Sequence, residues 1–285
     1  MQSASLSGKT AIITGAGGGF GGVLSTAFLQ QGAQVMGLDV DARLLEDYQS
    51  QLPAASRSRF HSLIADIADY AECERAVTQA RTQLGGAHIL INNAALGMSL
   101  ISVDHMHKGV DITDITPQMW QRFVAVNFTG SWNMTRAVID DMRARRWGRI
   151  IDITTSFFTM LRGGFQPYGP CKAGLEAMAA AHAKEFEGSG ITVNVVVPGG
   201  PADTPMVPVE SGYARADLVQ PGVMAPPIVW LCSDAASHLT GNRYIAAKWD
   251  AGIDPVSAEQ KCRAPIAWPD LARTPVWPGG APPKQ

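Results

Sequence analysis

Apolar runs of strand length alternate along this chain with longer stretches of helical character. Lys9 to Thr14 (Lys-Thr-Ala-Ile-Ile-Thr) reads as a short buried strand, and Phe20 to Gln31 as a helix that stops before Gly32. Val35 to Asp39 reads as a second strand, His88 to Ile91 as a fourth, and Arg149 to Ser156 as a later one. This repetition predicts an α/β protein, a doubly wound parallel sheet in one domain. Residues 1–252 are expected to carry the binding and catalytic machinery, with 253–285 as a Pro- and Trp-rich arm of the same domain.

Two segments stand outside the alternation. Gly97 to Thr116 is a long connection after the fourth strand, on the edge of the sheet where ligand-facing loops collect. It holds His105 and His107, but with only loop aspartates nearby the pair lacks a third metal ligand, and no metal is expected. The segment from Gly252 to Gln285 holds seven prolines together with Trp268 and Trp277. Proline favours extended chain and tryptophan seeks burial, so an extended arm docked on its own subunit or on a neighbour is predicted.

At 285 residues with 46% hydrophobic content the chain can bury one large core. Its 23 basic and 25 acidic residues give a net charge of −2 without basic stripes, which suggests neither nucleic acid nor an anionic membrane as partner. The first strand begins too early to leave room for a signal peptide and no apolar stretch is long enough to span a bilayer, so a cytoplasmic location is expected. Cys73, Cys171, Cys232 and Cys262 are scattered without C-x-x-C spacing, which suits reduced thiols.

Between the first strand and the first helix lies Thr14-Gly15-Ala16-Gly17-Gly18-Gly19-Phe20-Gly21-Gly22. Glycine lets a ligand approach the backbone, and the first amides of a helix point at an anion, so strand, turn and helix together form a pyrophosphate site. Two registers overlap: Gly17, Gly19 and Gly22 fit G-x-G-x-x-G, whereas Thr14, Gly15, Gly19 and Gly21 fit T-G-x-x-x-G-x-G. Asp39 ends the second strand, where a carboxylate can accept both hydroxyls of an adenosine ribose. It also repels a 2′-phosphate, by roughly 4 kcal/mol for unit charges 4 Å apart at an effective dielectric of 20. The nearest cation after it is Arg43, so NAD is favoured over NADP.

Tyr168 and Lys172 stand four apart in Tyr168-Gly169-Pro170-Cys171-Lys172. On a helix such residues share a face, so the ammonium is expected to draw the phenol down from about 10 and make it a general base. Alone, the pair is an ordinary feature of a solvated helix. Downstream of a dinucleotide turn it is not.

With the turn, Asp39 and the Tyr/Lys pair, the chain resembles the short-chain dehydrogenase/reductase family over about residues 6–250. Further motifs carry the likeness. Asp66, followed by Ile67, resembles the family's adenine-contacting Asp; Asn92-Asn93-Ala94-Ala95 resembles its N-N-A-G; Asn127 matches its helix Asn, and Pro198-Gly199 its Pro-Gly after the sixth strand. The resemblance implies a Rossmann-like fold, a homo-oligomer (dimer or tetramer), and a nucleotide site of Gly15, Gly19, Phe20, Gly21, Asp39, Asp66, Ile67, Asn93, Ala94, Tyr168, Lys172, Pro198, Gly199, Ala202 and Thr204. It also implies Tyr168, Lys172, Asn127 and a hydroxyl residue as the catalytic set, with Asn127 supporting a proton-relay water.

Three positions depart from the family's pattern. Its catalytic Ser is Thr155 here, and the hydroxyl has the same donor and acceptor capacity. Ser156 is the adjacent rival, but neighbours on a strand face opposite ways, so only one can serve. Ala95 replaces the last glycine of N-N-A-G, and Pro201 removes an N–H from the carboxamide loop, a part then left to Ala202 or Thr204. Phe157, Phe158, Met160, Leu161, Met206, Val207 and Tyr213 suggest an apolar pocket for a cyclic or aromatic alcohol. The expected activity is NAD-dependent interconversion of a secondary alcohol and a ketone. An NADPH-dependent ketone reductase and a non-catalytic dinucleotide sensor are the alternatives.

Overall fold

The computed structural model describes residues 5–270. Eight strands form one sheet: β1 (Thr10–Thr14), β2 (Gln34–Asp39), β3 (Phe60–Ile64), β4 (Ile89–Asn92), β5 (Gly148–Ile153), β6 (Ile191–Val197), β7 (Asn242–Ile245) and β8 (Arg263–Pro265). Their order is β3-β2-β1-β4-β5-β6-β7-β8, parallel up to β7, with β8 antiparallel on β7. The helices are α1 (Gly19–Gln30), α2 (Ala42–Gln51), α3 (Ala54–Arg57), α4 (Tyr70–Leu84), α5 (Pro117–Val124), α6 (Gly130–Arg145), α7 (Phe157–Leu161), α8 (Tyr168–Glu185), α9 (Ala225–Leu231) and α10 (Pro255–Cys262).

β1, β4, β5 and β6 are buried along their whole length, which explains why they appear in the sequence as continuous apolar runs: helices cover both faces of the sheet. Ala11 and Ile13 face a core shared with Leu24 and Phe28 of α1 and Ile228 of α9. Ile12 and Leu90 face the opposite core, with Ala76 of α4, Met134 and Val138 of α6 and Ala179 of α8. From β1 the chain moves to β2 and β3 on one side, and from β4 onward to the other. The crevice beyond the ends of β1 and β4 is the switch point at which such sheets bind ligands.

The arm departs from the sequence expectation. Instead of extended chain, Asp254 caps α10 with Pro255 in its first turn, and β8 then adds to the sheet edge. Proline is permitted there because the first helical N–H has no partner to lose. Trp268 packs on Phe157 with ring centroids 5.6 Å apart, while Trp277 lies outside the described residues. Among the described residues no helix is long and apolar enough to cross a membrane.

Candidate active site

The glycine turn decides between its two registers. Gly15 and Gly19 have φ of +64° and +52°, where side chains are strained, and a Cβ on Gly21 would lie 1.9 Å from the Gly15 carbonyl oxygen. T-G-x-x-x-G-x-G is therefore the register in which every glycine is required. Asp41, Asp69, Thr116, Ser156 and Asp254 cap their helices, whereas α1, with Gly18 as its N-cap, has no side-chain cap, as is also true of α3, α8 and α9, and its first amides face the glycine turn where an anion could bind. Phe20 is half-buried against the α1 side of the core.

Other loops close around this turn. Asp39 accepts from Gly17 N–H at 3.1 Å and from Asp41 N–H at 3.2 Å, so its carboxylate sits beside the glycines. Asn93 donates to the carbonyls of Thr14 (2.8 Å) and Gly15 (3.2 Å), and the Thr14 hydroxyl accepts from the amides of Asn93 and Ala94. The Thr204 side chain lies 3.6 Å from where a Gly19 Cβ would stand. Asp66 is exposed just past β3, its carboxylate on Ala68 N–H, and Ile67 is buried against Gly130. Gly199 takes φ +109°, and the Pro198 carbonyl accepts from Ala247. Thr204 N–H is paired with the Ala202 carbonyl, so of the two amides proposed for the carboxamide, Ala202 is the better placed. A narrow glycine cradle, unclaimed helix amides and a carboxylate at the second strand's end fit a dinucleotide.

From the last residue of β5 onward four consecutive residues have four different attachments. The Ile153 carbonyl accepts from Lys172 Nζ at 2.7 Å; the Thr154 hydroxyl donates to Glu176 at 3.0 Å; the Thr155 carbonyl accepts from Arg243 Nη2 at 2.5 Å; and Ser156 Oγ caps α7 by accepting from Thr159 N–H. Thr155 is left to turn its hydroxyl toward Tyr168, where it acts to lower the phenol. Thr155 rather than Ser156 therefore stands with the phenol.

Tyr168 opens α8, with Lys172 one turn on and its ammonium 6.0 Å from the ring centroid. The expected lowering of the phenol does not hold. Burial pushes Tyr168 up to about 12, opposed only by the Thr155 hydroxyl. Lys172 points its charge at the Ile153 carbonyl rather than the phenol, and burial lowers it to about 8 against the pull of Asp152. Asp152, beneath it on β5, accepts from Asn92 at 2.8 Å and is raised to about 6 by burial.

Asn127 lies in a single π-helical turn, Ala125–Thr129, between α5 and α6. Its amide accepts from Leu96 N–H (2.7 Å) and donates to Leu96 O (2.9 Å), latching the long loop to the helix. That loop is held elsewhere too. His107 Nε2 donates to the Ser211 carbonyl and its ring stacks on Tyr213, His105 Nδ1 donates to the Ser102 carbonyl, and Val110 N–H donates to the Gly164 carbonyl. Of the expected pocket residues, Met206 lies over Gly97, whereas Met160 and Val207 are buried and Phe158 and Leu161 are 73% and 75% exposed. Phe157 is occupied by Arg243 and Trp268. All four cysteines are buried and unbridged, with Cys171 pushed up to about 11 by burial.

The short chain dehydrogenase profile matches residues 9–212. The chain belongs to the short-chain dehydrogenase/reductase family. It is 33% identical to an uncharacterized short-chain type dehydrogenase/reductase of Sinorhizobium fredii, over 83% of this chain and 94% of that one. It is 29% identical to a D-beta-hydroxybutyrate dehydrogenase of Cupriavidus necator, over 83% and 95%. A solved 3-ketoacyl-(acyl-carrier-protein) reductase of Brucella melitensis, complexed with NADH, superposes with a TM-score of 0.71 at 28% identity, covering 84% of this chain and 96% of its own. As a family member, this protein has an oxidoreductase's fold and binds a nicotinamide dinucleotide.

Arg243, Glu176 and Asp152 had no place in the sequence reading. Glu176 continues the Tyr168, Lys172 spacing by another four residues, and Arg243 is a lone cation in a buried strand; both were available as signals.

Proposed function

We propose that this protein interconverts a secondary alcohol and a ketone with NAD(H), Tyr168 handling the proton. The observation that supports this best is the Thr155 hydroxyl turned toward the Tyr168 phenol, with Lys172 one helical turn on along α8. The turn of Gly15, Gly19 and Gly21 with the first α1 amides would hold the pyrophosphate, Asp39 the ribose hydroxyls, Asp66 and Ile67 the adenine side, and Ala94, Pro198, Gly199 and Ala202 the nicotinamide side. When bound, the nicotinamide supplies the hydride acceptor or donor.

Thr155 fixes the substrate oxygen and Tyr168 gives or takes its proton. With the phenol pushed up to about 12 it is protonated at neutral pH and ready to act as the acid of ketone reduction. Alcohol oxidation needs the phenolate and so calls for alkaline conditions. Two relatives are named for a hydroxybutyrate and a 3-oxoacyl substrate, which places 3-hydroxy and 3-oxo acyl compounds beside cyclic alcohols as the classes to try first. A homo-oligomer in the cytoplasm is the setting proposed.

The test is a panel of such alcohols and ketones followed at the NADH absorbance, with NAD(H) and NADP(H) in parallel, repeated on Tyr168→Phe. We expect a fall of ~10²–10⁴-fold in kcat for that variant, with NADH affinity within a few-fold of wild type. Near-normal kcat in Tyr168→Phe overturns the proposal.

A further inference from the structure

We propose that Arg243 is a positioning residue for the Thr155 hydroxyl, braced by Glu176 and the backbone of Ala267. The proposal rests on the reading of Thr155 and Tyr168 as the reacting pair. Arg243 stands on β7, two strands away from β5, and contributes nothing else to the site.

Its guanidinium is a fork with one tine on each side. Nη1 pairs with Glu176 Oε2, and Nη2 donates to the Thr155 carbonyl at 2.5 Å. The same Glu176 oxygen accepts the Thr154 hydroxyl at 3.0 Å, while Oε1 accepts Ala267 N–H at 3.2 Å. Both charged side chains are buried, and Ala267 reaches its carboxylate with φ +54°, which few residues other than glycine adopt. The Arg243 guanidinium carbon lies over the Phe157 ring, 4.1 Å from its centroid, and Trp268 packs on Phe157. Strand β7, helix α8 and the chain beyond β8 therefore converge on one peptide unit of the loop after β5.

Stability alone is a poor reason for this arrangement. A buried ion pair often contributes no more than apolar residues of the same volume, because desolvation offsets attraction. What the fork adds is direction: planar, rigid and always charged, it fixes the carbonyl of Thr155 and thereby the path of the side chain on the same residue. The sheet's hold on this backbone ends just before Thr155: Ile153 is the last residue in register with β6, and Thr154 N–H donates to the Val196 carbonyl at 3.2 Å. A reacting group misplaced by about 1 Å can lose on the order of 10²-fold in rate.

Arg243→Met alone would leave Glu176 buried without its cation and could fail to fold, so the deciding variant is Glu176→Gln/Arg243→Met, which removes both charges. Its melting temperature and NADH dissociation constant are measured beside kcat and KM. We expect melting and NADH binding near wild type, kcat lower by about 10- to 100-fold and KM within about threefold. In a Thr155→Val background the same double change should lower kcat by less than about twofold more, because the group it positions is gone. Arg243→Lys, with one donor site in place of a fork, should fall between wild type and the double variant. Wild-type kcat in the double variant overturns the proposal, as does an equal loss in the Thr155→Val background. If instead the wild type turns over nothing, or Tyr168→Phe stays active, the reading beneath it has failed, and this inference with it.

Discussion

Asp39 can be tested by separating its charge from its hydrogen bonds. The carboxylate accepts from the amides of Gly17 and Asp41, so truncation to alanine would loosen the glycine turn as well as remove the charge. Asp39→Asn removes the charge and keeps an acceptor for Gly17, giving up only the second acceptor that Asp41 N–H uses. Two unit charges 4 Å apart at an effective dielectric of 20 repel by roughly 4 kcal/mol. Asp39 is half-buried, and solvent and salt screen it, so about 1–2 kcal/mol should survive, a change of roughly 5- to 30-fold. The quantity to measure is kcat/KM with NADP divided by kcat/KM with NAD, at one fixed substrate. In Asp39→Asn this ratio should rise by that factor. In Asp39→Ala it should rise similarly while both cofactors bind more weakly, since a hydrogen bond to a charged group contributes about 1.5–3 kcal/mol. A ratio unchanged within twofold in the asparagine variant would show that Asp39 does not face the ribose.

Thr155→Ser should keep most of the activity, Thr155→Val should lose most of it, and Ser156→Ala should shift melting through the lost α7 cap without abolishing turnover; a dead Ser156→Ala beside an active Thr155→Val would mean the neighbouring hydroxyl reacts. For alcohol oxidation, kcat/KM should climb by nearly tenfold per pH unit between about pH 7 and 10, because a phenol raised to about 12 must lose its proton; a flat profile over that range would show that Tyr168 is not the base. Asp152 has the opposite sign on stability: its folded value near 6 lies above the ordinary 3.8, so stability should fall as pH rises from about 4 to 6, and chemical denaturation across that window would check it. Truncation after Gly252 removes α10, β8 and the Ala267 contact, and should lower both the melting temperature and kcat; a truncated chain equal to the full one in both would make the arm a passive appendage.

What could be read from the sequence was local. The strand, turn and helix at Thr10–Gln30, the strand-end Asp39 and the Tyr168/Lys172 face depend on neighbours a few residues apart, and the fold reproduces them. The phenol's acidity was misjudged because spacing shows which residues share a face but not how dry that face is; burial outweighed the ammonium. Lys172 also had a nearer partner, the Ile153 carbonyl, that only the sheet brings to it. Glu176 of α8 and Arg243 of β7 meet only because the helix packs against the sheet, and no periodicity links them. The arm was misread for a different reason: Asp254-Pro255 is a helix-start pair, and the many prolines after it hid that signal.

The clasp on Thr155 also sets an order of events during synthesis. Its parts are strung along the chain from the loop after β5 to Ala267 beyond β8, whereas the glycine turn, Asp39 and Asn93 are complete once β4 is made. A chain leaving the ribosome therefore carries the residues proposed for the pyrophosphate and ribose by β4, and those proposed for the nicotinamide by Ala202, before Arg243 and Ala267 have emerged. Of the groups that meet at Thr155, the two that brace it from β7 and from beyond β8 are thus the last to be made.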